Sequence, residues 1–396
     1  MLTFDLATVD EAFLERVCAE RWPESSTLDF KRDVPGIAEP GKTEFLKDVA
    51  AMANTDGGDL IYGIAENDGL ADAVQPIVGQ SFDALKLRLA QSLDSLVEPR
   101  INGITFNQVP VKNGYVLLVR IPPSFETPHA IRIHNNKRFV MRNSGGVYDL
   151  TMGQLRESFG RTASLVERAE KMQEDRLTAL MSNKGAMVME TTHGVAALHL
   201  LPLSGFANRV SLDLKTVIKL HPRLIGSDWG GGSASLNLDG VLIYPGQKNK
   251  PVSGYRQLFR NGCLEAAEVV AGSRNNGSGV EFIVYPRSLA DFYHENLTRY
   301  LSLAKDLQIS GPAILGMSLL DVRGYQIPMR AFLGRNPPAS DRDYLMLRNI
   351  FIEDLATADY RLILPQAMDV MYQAFTLLRC PGFNADTGEY EPQNFL

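Results

Sequence analysis

The stretch that most constrains this chain runs from Thr43 to Ile64. Phe45, Leu46, Val49, Ala50 and Ala53 recur at the three- and four-residue spacing of an amphipathic helix. The spacing stops at Asn54-Thr-Asp-Gly57-Gly58, a turn that hands the chain to a strand, Asp59 to Ile64. Upstream, Thr27 to Lys31 alternates apolar and polar residues, which predicts a short strand with Asp29, Lys31 and Asp33 on one charged face. Strand, helix, strand in this order predicts an α/β domain. A first helix capped by Thr8 and Glu11 and ended at Trp22-Pro23, a helix over Phe82 to Leu96, and strands near 103–109, 114–121 and 137–142 extend this domain over residues 1–160.

Thr151 opens a charged, proline-free helical segment from Met152 to Met181, so residues 161–185 are expected to form a helical connector. Residues 186–396 then read as a second α/β domain of unassigned role. Its expected strands lie at 186–201 and 280–285, its helices at 289–307 and 366–378, and its turns at 230–232 and 275–277. A length of 396 residues, 45% of them hydrophobic, is enough for more than one core. No apolar run reaches the roughly 20 residues of a membrane span, and the N-terminus lacks a signal-peptide pattern, so a cytoplasmic location without membrane contact is expected. Cys18, Cys263 and Cys380 lie far apart, which predicts buried thiols rather than disulfides or a zinc site. His193, His199, His221 and His294 show no metal-binding spacing and read as core or surface residues; no nucleophile elbow supports a serine hydrolase.

Three constellations can carry chemistry. Glu24, Asp29 and Lys31, with Glu66 past the next strand, combine hard oxygen ligands with a cation, a set suited to a divalent metal and a phosphate. The alternative reading of the same residues is a charged, solvated strand face. Gly36-Ile-Ala-Glu-Pro-Gly41-Lys42-Thr43 satisfies the P-loop pattern and precedes a helix, so Gly41, Lys42 and Thr43 are candidates for nucleotide (ATP) binding; a solvent loop is the alternative. Between Glu126 and Asp149, Arg132, Lys137, Arg138 and Arg142 accompany His129 and His134 without one acid, although the whole chain carries a net charge of −6. This basic stretch is a candidate footprint for a nucleic-acid backbone, with Phe139 and Tyr148 available for stacking on bases.

Read together, Glu24-Ser-Ser-Thr-Leu-Asp29-Phe30-Lys31, the run Phe45 to Ile64 with Asn54, Gly57 and Gly58, and Arg138-Phe-Val-Met-Arg142-Asn-Ser-Gly145 resemble the Schlafen AlbA-type domain, over about residues 20–160. The resemblance implies a mixed-sheet α/β domain. In the animal Schlafen core two such lobes form a cleft that cleaves tRNA and rRNA with metal-bound acids. By position, Glu24 and Asp29 match the first two acids, Lys31 the lysine and Glu66 the third acid. Gly63-Ile-Ala65-Glu66-Asn-Asp68 departs from the family's usual Gly, apolar residue and two acids, because Ala65 stands in one acid's place. Proteins of this type carry both ATP-binding and DNA-binding descriptions. The resemblance therefore implies a metal-dependent endoribonuclease using Mg²⁺ or Mn²⁺ on structured RNA such as tRNA, in stress or phage defence. The alternative is a non-catalytic nucleic-acid-binding or ATP-binding regulator. With one such domain per chain, a two-lobed cleft implies a homodimer.

Overall fold

The computed structural model describes residues 6–37, 39–133, 136–143, 145–207, 210, 212–247, 250–275, 279–328 and 338–395. His134 and the Asn276-Gly277 turn therefore lie outside the described residues. The chain divides into two compact units, Met1–Ser164 and Leu165–Leu396, each of mixed α/β structure.

In the first unit, α1 (Glu11–Ala19) is capped by Asp10, whose carboxylate accepts the Phe13 amide at 2.8 Å. The expected cap at Thr8 is thus displaced by two residues, because Asp10 stands three before that free amide. β1 (Leu28–Lys31) and β2 (Gly58–Tyr62) are parallel, joined through α2 (Gly41–Ala53). The strand expected to run on to Ile64 stops at Tyr62, because Gly63 turns the backbone at φ +99°. The chain continues as a hairpin of β3 (Ile64–Asn67) and β4 (Leu70–Val74), closed by Asp68-Gly69 with both residues at positive φ. Then follow α3 (Phe82–Leu96), β5 (Val97–Glu98), β6 (Thr105–Val111), β7 (Gly114–Ile121), β8 (Ala130–Ile133), β9 (Asn136–Asn143) and β10 (Gly146–Asp149). One sheet has the order β1-β2-β7-β6 and a second β10-β9-β8-β5.

Strand alternation decides which face of the first sheet each residue meets. Leu28 and Phe30 of β1 join Ile61, Val116 and Leu118 in the core under α1. Leu60, Leu117 and Val119 join Phe45, Val49 and Met52 in the core under α2. Asp29 and Lys31, alternating with Leu28 and Phe30, consequently point to the α2 face, and Asp29 is only 2% exposed. The charged face of β1 is covered rather than solvated.

The 30-residue helix α4 (Met152–Met181) carries the boundary between the units. In the second unit come β11 (Val195–Pro202), α5 (Leu203–Phe206), α6 (Leu214–Val217), β12 (Ser233–Leu236), β13 (Gly240–Tyr244), β14 (Gly254–Phe259) and β15 (Leu264–Val269). After them lie β16 (Ala271–Asn275), β17 (Val280–Val284), α7 (Pro286–Asp306), β18 (Ala313–Leu320), β19 (Tyr344–Met346), β20 (Ile350–Ile352) and α8 (Tyr360–Gln373). The strand expected over 186–201 begins only at Val195, and the last helix starts at Tyr360 rather than Gln366, where Asp359 supplies its cap. The main sheet is antiparallel, in the order β12-β13-β14-β15-β11-β18-β19, with β20 also on β18. One core packs it with α7 and α8, and a smaller one gathers Leu177 and Leu180 of α4 with Met187, Met189 and Tyr255.

Beside that smaller core, Glu265 is fully buried and fully engaged. It accepts two bonds from Arg176, at 2.6 and 2.8 Å, one from the Tyr255 hydroxyl at 2.6 Å, and faces His199 Nε2 at 3.0 Å. These contacts, Arg176 foremost, overcome the effect of burial and hold its carboxyl at about 2. The three cysteines are buried free thiols, as expected.

Candidate active site

A cavity of about 580 Å³ opens beside β1, β3 and the start of α2. Its wall includes Glu24, Lys31, Glu44, Asp48, Ala65 and Glu66. Glu24 precedes β1 and is pinned at both ends: its amide donates to Gly69 O at 2.8 Å, and its Oε1 accepts the Phe30 amide at 3.0 Å. Burial, with the Asp29 carboxylate beside it, pushes the Glu24 carboxyl up to about 7. Asp29 behaves oppositely. Burial alone would raise it, but Glu24, Arg142 and Lys31 together hold it below the ordinary carboxylate range.

Lys31 Nζ sits among three carboxylates: Asp29 Oδ1 at 3.4 Å, Glu44 Oε1 at 3.8 Å and Asp48 Oδ2 at 4.0 Å. Burial opposes its charge, yet these acids raise its pKa, so it stays an ammonium. Asp48, on α2, is a member of the site that the motif spacing does not point to. It is 6% exposed, and burial pushes its carboxyl up to about 7 despite the opposing pull of Lys31.

The basic residues separate into two groups. Arg142 departs from its expected role at a phosphate-facing surface: it is 8% exposed and donates to Asp29 Oδ2 at 2.7 Å. The turn after α2 places it there. Asn54 Nδ2 donates to His129 O at 3.0 Å and Val140 O at 2.9 Å, its Oδ1 accepts the His129 amide at 2.7 Å, and Thr55 Oγ1 accepts the Arg142 amide at 3.1 Å. Arg132 and Lys137, paired across the β8–β9 hairpin, share its outer face, while Arg138, opposite Ile131, lies on the other face and stays partly exposed. Acids from outside the stretch reach them: Glu98 lies 2.8 Å from Lys137 and 4.0 Å from Arg132, and Asp149 lies 2.6 Å from Arg138. Exposed pairs of this kind are weak and exchange readily for phosphate oxygens. Phe139 meets Phe159 edge to face.

Of the P-loop pattern, Gly41, Lys42 and Thr43 open α2, and Gly36 and Gly41 line the cavity. Arg88 donates to the carbonyls of Pro35 and Gly36 at 2.7 and 3.1 Å, and the Thr43 hydroxyl is taken by Glu39. Lys42 is not among the residues lining the cavity.

Among the described residues no three His, Cys, Asp or Glu side chains gather closely enough to hold a metal ion. Glu66 lines the same cavity as Glu24, and its Oε2 accepts the Gly69 amide at 2.8 Å on the β3–β4 hairpin. The pair Glu24 and Asp29 still fits a hard divalent ion. Asp29 Oδ1 is buried, and the cation beside it is Lys31 Nζ at 3.4 Å. Mg²⁺ commonly takes one or two carboxylates and leaves its other positions to water and phosphate.

Residues 24–151, within the first unit, match the family model described as Schlafen, AlbA_2. Among solved structures, the N-terminal domain of a putative ATP-dependent DNA helicase RecG-related protein from Nitrosomonas europaea is 22% identical, with 33% of this chain and 84% of that one covered and a TM-score of 0.26. The DIP2311 protein from Corynebacterium diphtheriae is 14% identical, with 65% and 68% covered and a TM-score of 0.26. No curated protein matches the chain. Among the described residues, no helix is long and apolar enough to cross a membrane.

Proposed function

We propose that the region matching Schlafen, AlbA_2 binds nucleic acid and that its cavity cleaves phosphodiester bonds in structured RNA such as tRNA. The observation that carries this reading is that Glu24 and a charged Lys31 line an open cavity, with the buried Asp29 carboxylate against both of them. Two crowded carboxyls call for a cation, and a lysine beside them suits a phosphate. Glu24 and Asp29 would hold Mg²⁺ or Mn²⁺, which when bound supplies charge neutralisation and a more acidic water. Lys31 stabilises the charge that develops on the phosphate oxygens. Arg142 keeps Asp29 ionised and fixed from behind. Arg132, Lys137 and Arg138 hold backbone phosphates of the flanking strand.

The test incubates the protein with total tRNA and with single-stranded DNA, in Mg²⁺, Mn²⁺ or chelator, alongside Glu24→Gln and Asp29→Asn. Metal-dependent RNA fragments that disappear in both variants are the expected outcome, with melting unchanged in Glu24→Gln and lowered in Asp29→Asn, which leaves the buried Arg142 without its charged partner. RNA left intact but bound in a salt-sensitive way would make the domain a non-catalytic reader. Calorimetric titration of ATP into wild type and Lys42→Ala decides the nucleotide reading of Gly41, Lys42 and Thr43. Light scattering during the same preparation decides the homodimer.

A further inference from the structure

Phosphodiester hydrolysis also needs a group that takes a proton from the attacking water, while Ala65 of β3 brings no carboxyl to the cavity wall. Asp48 reaches the same wall from the other side, from α2 rather than from β3. We propose that Asp48, from α2, is the proton-accepting catalytic residue of this cavity. The inference rests on the phosphodiesterase reading above.

Its geometry argues against a structural role. Phe45, Leu46, Val49 and Met52 of the same helix are at most 1% exposed, so Asp48 interrupts an apolar face with a carboxyl. Burying such a group is costly unless it is bonded. Yet Asp48 Oδ2 has no hydrogen-bond partner. The charged groups facing it are Lys31 of β1 at 4.0 Å and Arg142 of β9 at 3.9 Å, with Asp29 of β1, Glu44 of α2 and the Tyr62 phenol of β2 also around it. Separations of 3.9 to 4.0 Å are too long for hydrogen bonds. Arg142 is already bonded to Asp29. A side chain that breaks the local packing rule without satisfying itself marks a site where function outweighs stability.

The step balances with water as the only co-reactant. The water oxygen forms a bond to phosphorus while the bond from phosphorus to the leaving ribose oxygen breaks. The water's proton passes to Asp48, the leaving oxygen takes a proton from solvent, and Asp48 returns its own proton to solvent.

The experiment compares wild type, Asp48→Asn and Asp48→Ala for cleavage of total tRNA in Mg²⁺, for tRNA affinity in chelator, and for melting at pH 8. In both variants cleavage should fall by at least about 100-fold, the scale of a lost general base. Affinity should be unchanged or tighter, and the melting temperature unchanged or raised. Variants that cleave within threefold of wild type would overturn the assignment of Asp48 alone. A melting temperature lowered by several degrees in both variants would also overturn it, making Asp48 a strut for Arg142. Wild type that leaves all RNA intact would remove the hydrolase reading, and the assignment of Asp48 with it.

Discussion

At the scale of single residues, the site is governed by which charges are buried with partners. Asp29 and Arg142 form a buried pair, and removing one member strands the other. Arg142→Ala should therefore cost about 3–5 kcal/mol in chemical denaturation. Asp48 predicts a pH dependence of opposite sign to that of a paired carboxylate. Its folded pKa, about 7, lies above its ordinary value of 3.8, so its contribution to stability is fully present below about pH 4 and is lost as pH rises through 7. Thermal melts from pH 4 to 8 should show a falling stability in wild type and a flatter profile in Asp48→Asn; parallel profiles would contradict the burial of that carboxyl. The acids Glu24 and Asp29 are legible from their spacing around β1. The place of Arg142 is not, because its partner lies 113 residues away, a distance across which sequence carries no pairing signal. Asp48 does leave a signal, an acid inside an apolar helical stripe, but it belongs to no motif that would mark it as chemical.

At the scale of elements, the turn after α2 joins fold to chemistry. Asn54 binds the backbone of His129, just before β8, by two hydrogen bonds and that of Val140 in β9 by a third, and Thr55 binds the amide of Arg142 itself. Asn54→Ala leaves buried backbone groups unpaired and should cost about 2–4 kcal/mol. It should also loosen Arg142, so the same variant ought to show faster amide exchange at residues 139–142. The helix α2 and strand β2 are readable because each keeps one period over several residues. The β3–β4 hairpin is not, since its strands are only four and five residues long and too short to establish a period. Asp68-Gly69 is its one local signature, and the run of acids around it hides a turn behind a motif.

At the scale of the whole molecule, two different uses of buried charge stand in the two units. At Asp48 the buried Oδ2 is left without a hydrogen bond; at Glu265 both oxygens are bonded. Glu265→Gln should thus lower stability by about 3–5 kcal/mol without any gain in function, because Arg176 is left half-buried and without its charged partner. For the first unit, replacing Arg132, Lys137 and Arg138 together by Ala should flatten the salt dependence of RNA binding by about 0.7–0.9 in logarithmic slope for each phosphate no longer neutralised. An unaltered slope would move the footprint elsewhere. The boundary between the units falls at Ser164, inside α4, where the backbone is continuously helical from Met152 to Met181, a rod of about 45 Å. A joint of this kind offers a protease no extended peptide to grip, and a gene cut at the boundary would strand unpaired carbonyls on one fragment and unpaired amides on the other. A shortened gene should therefore end before the helix begins or keep the whole of it.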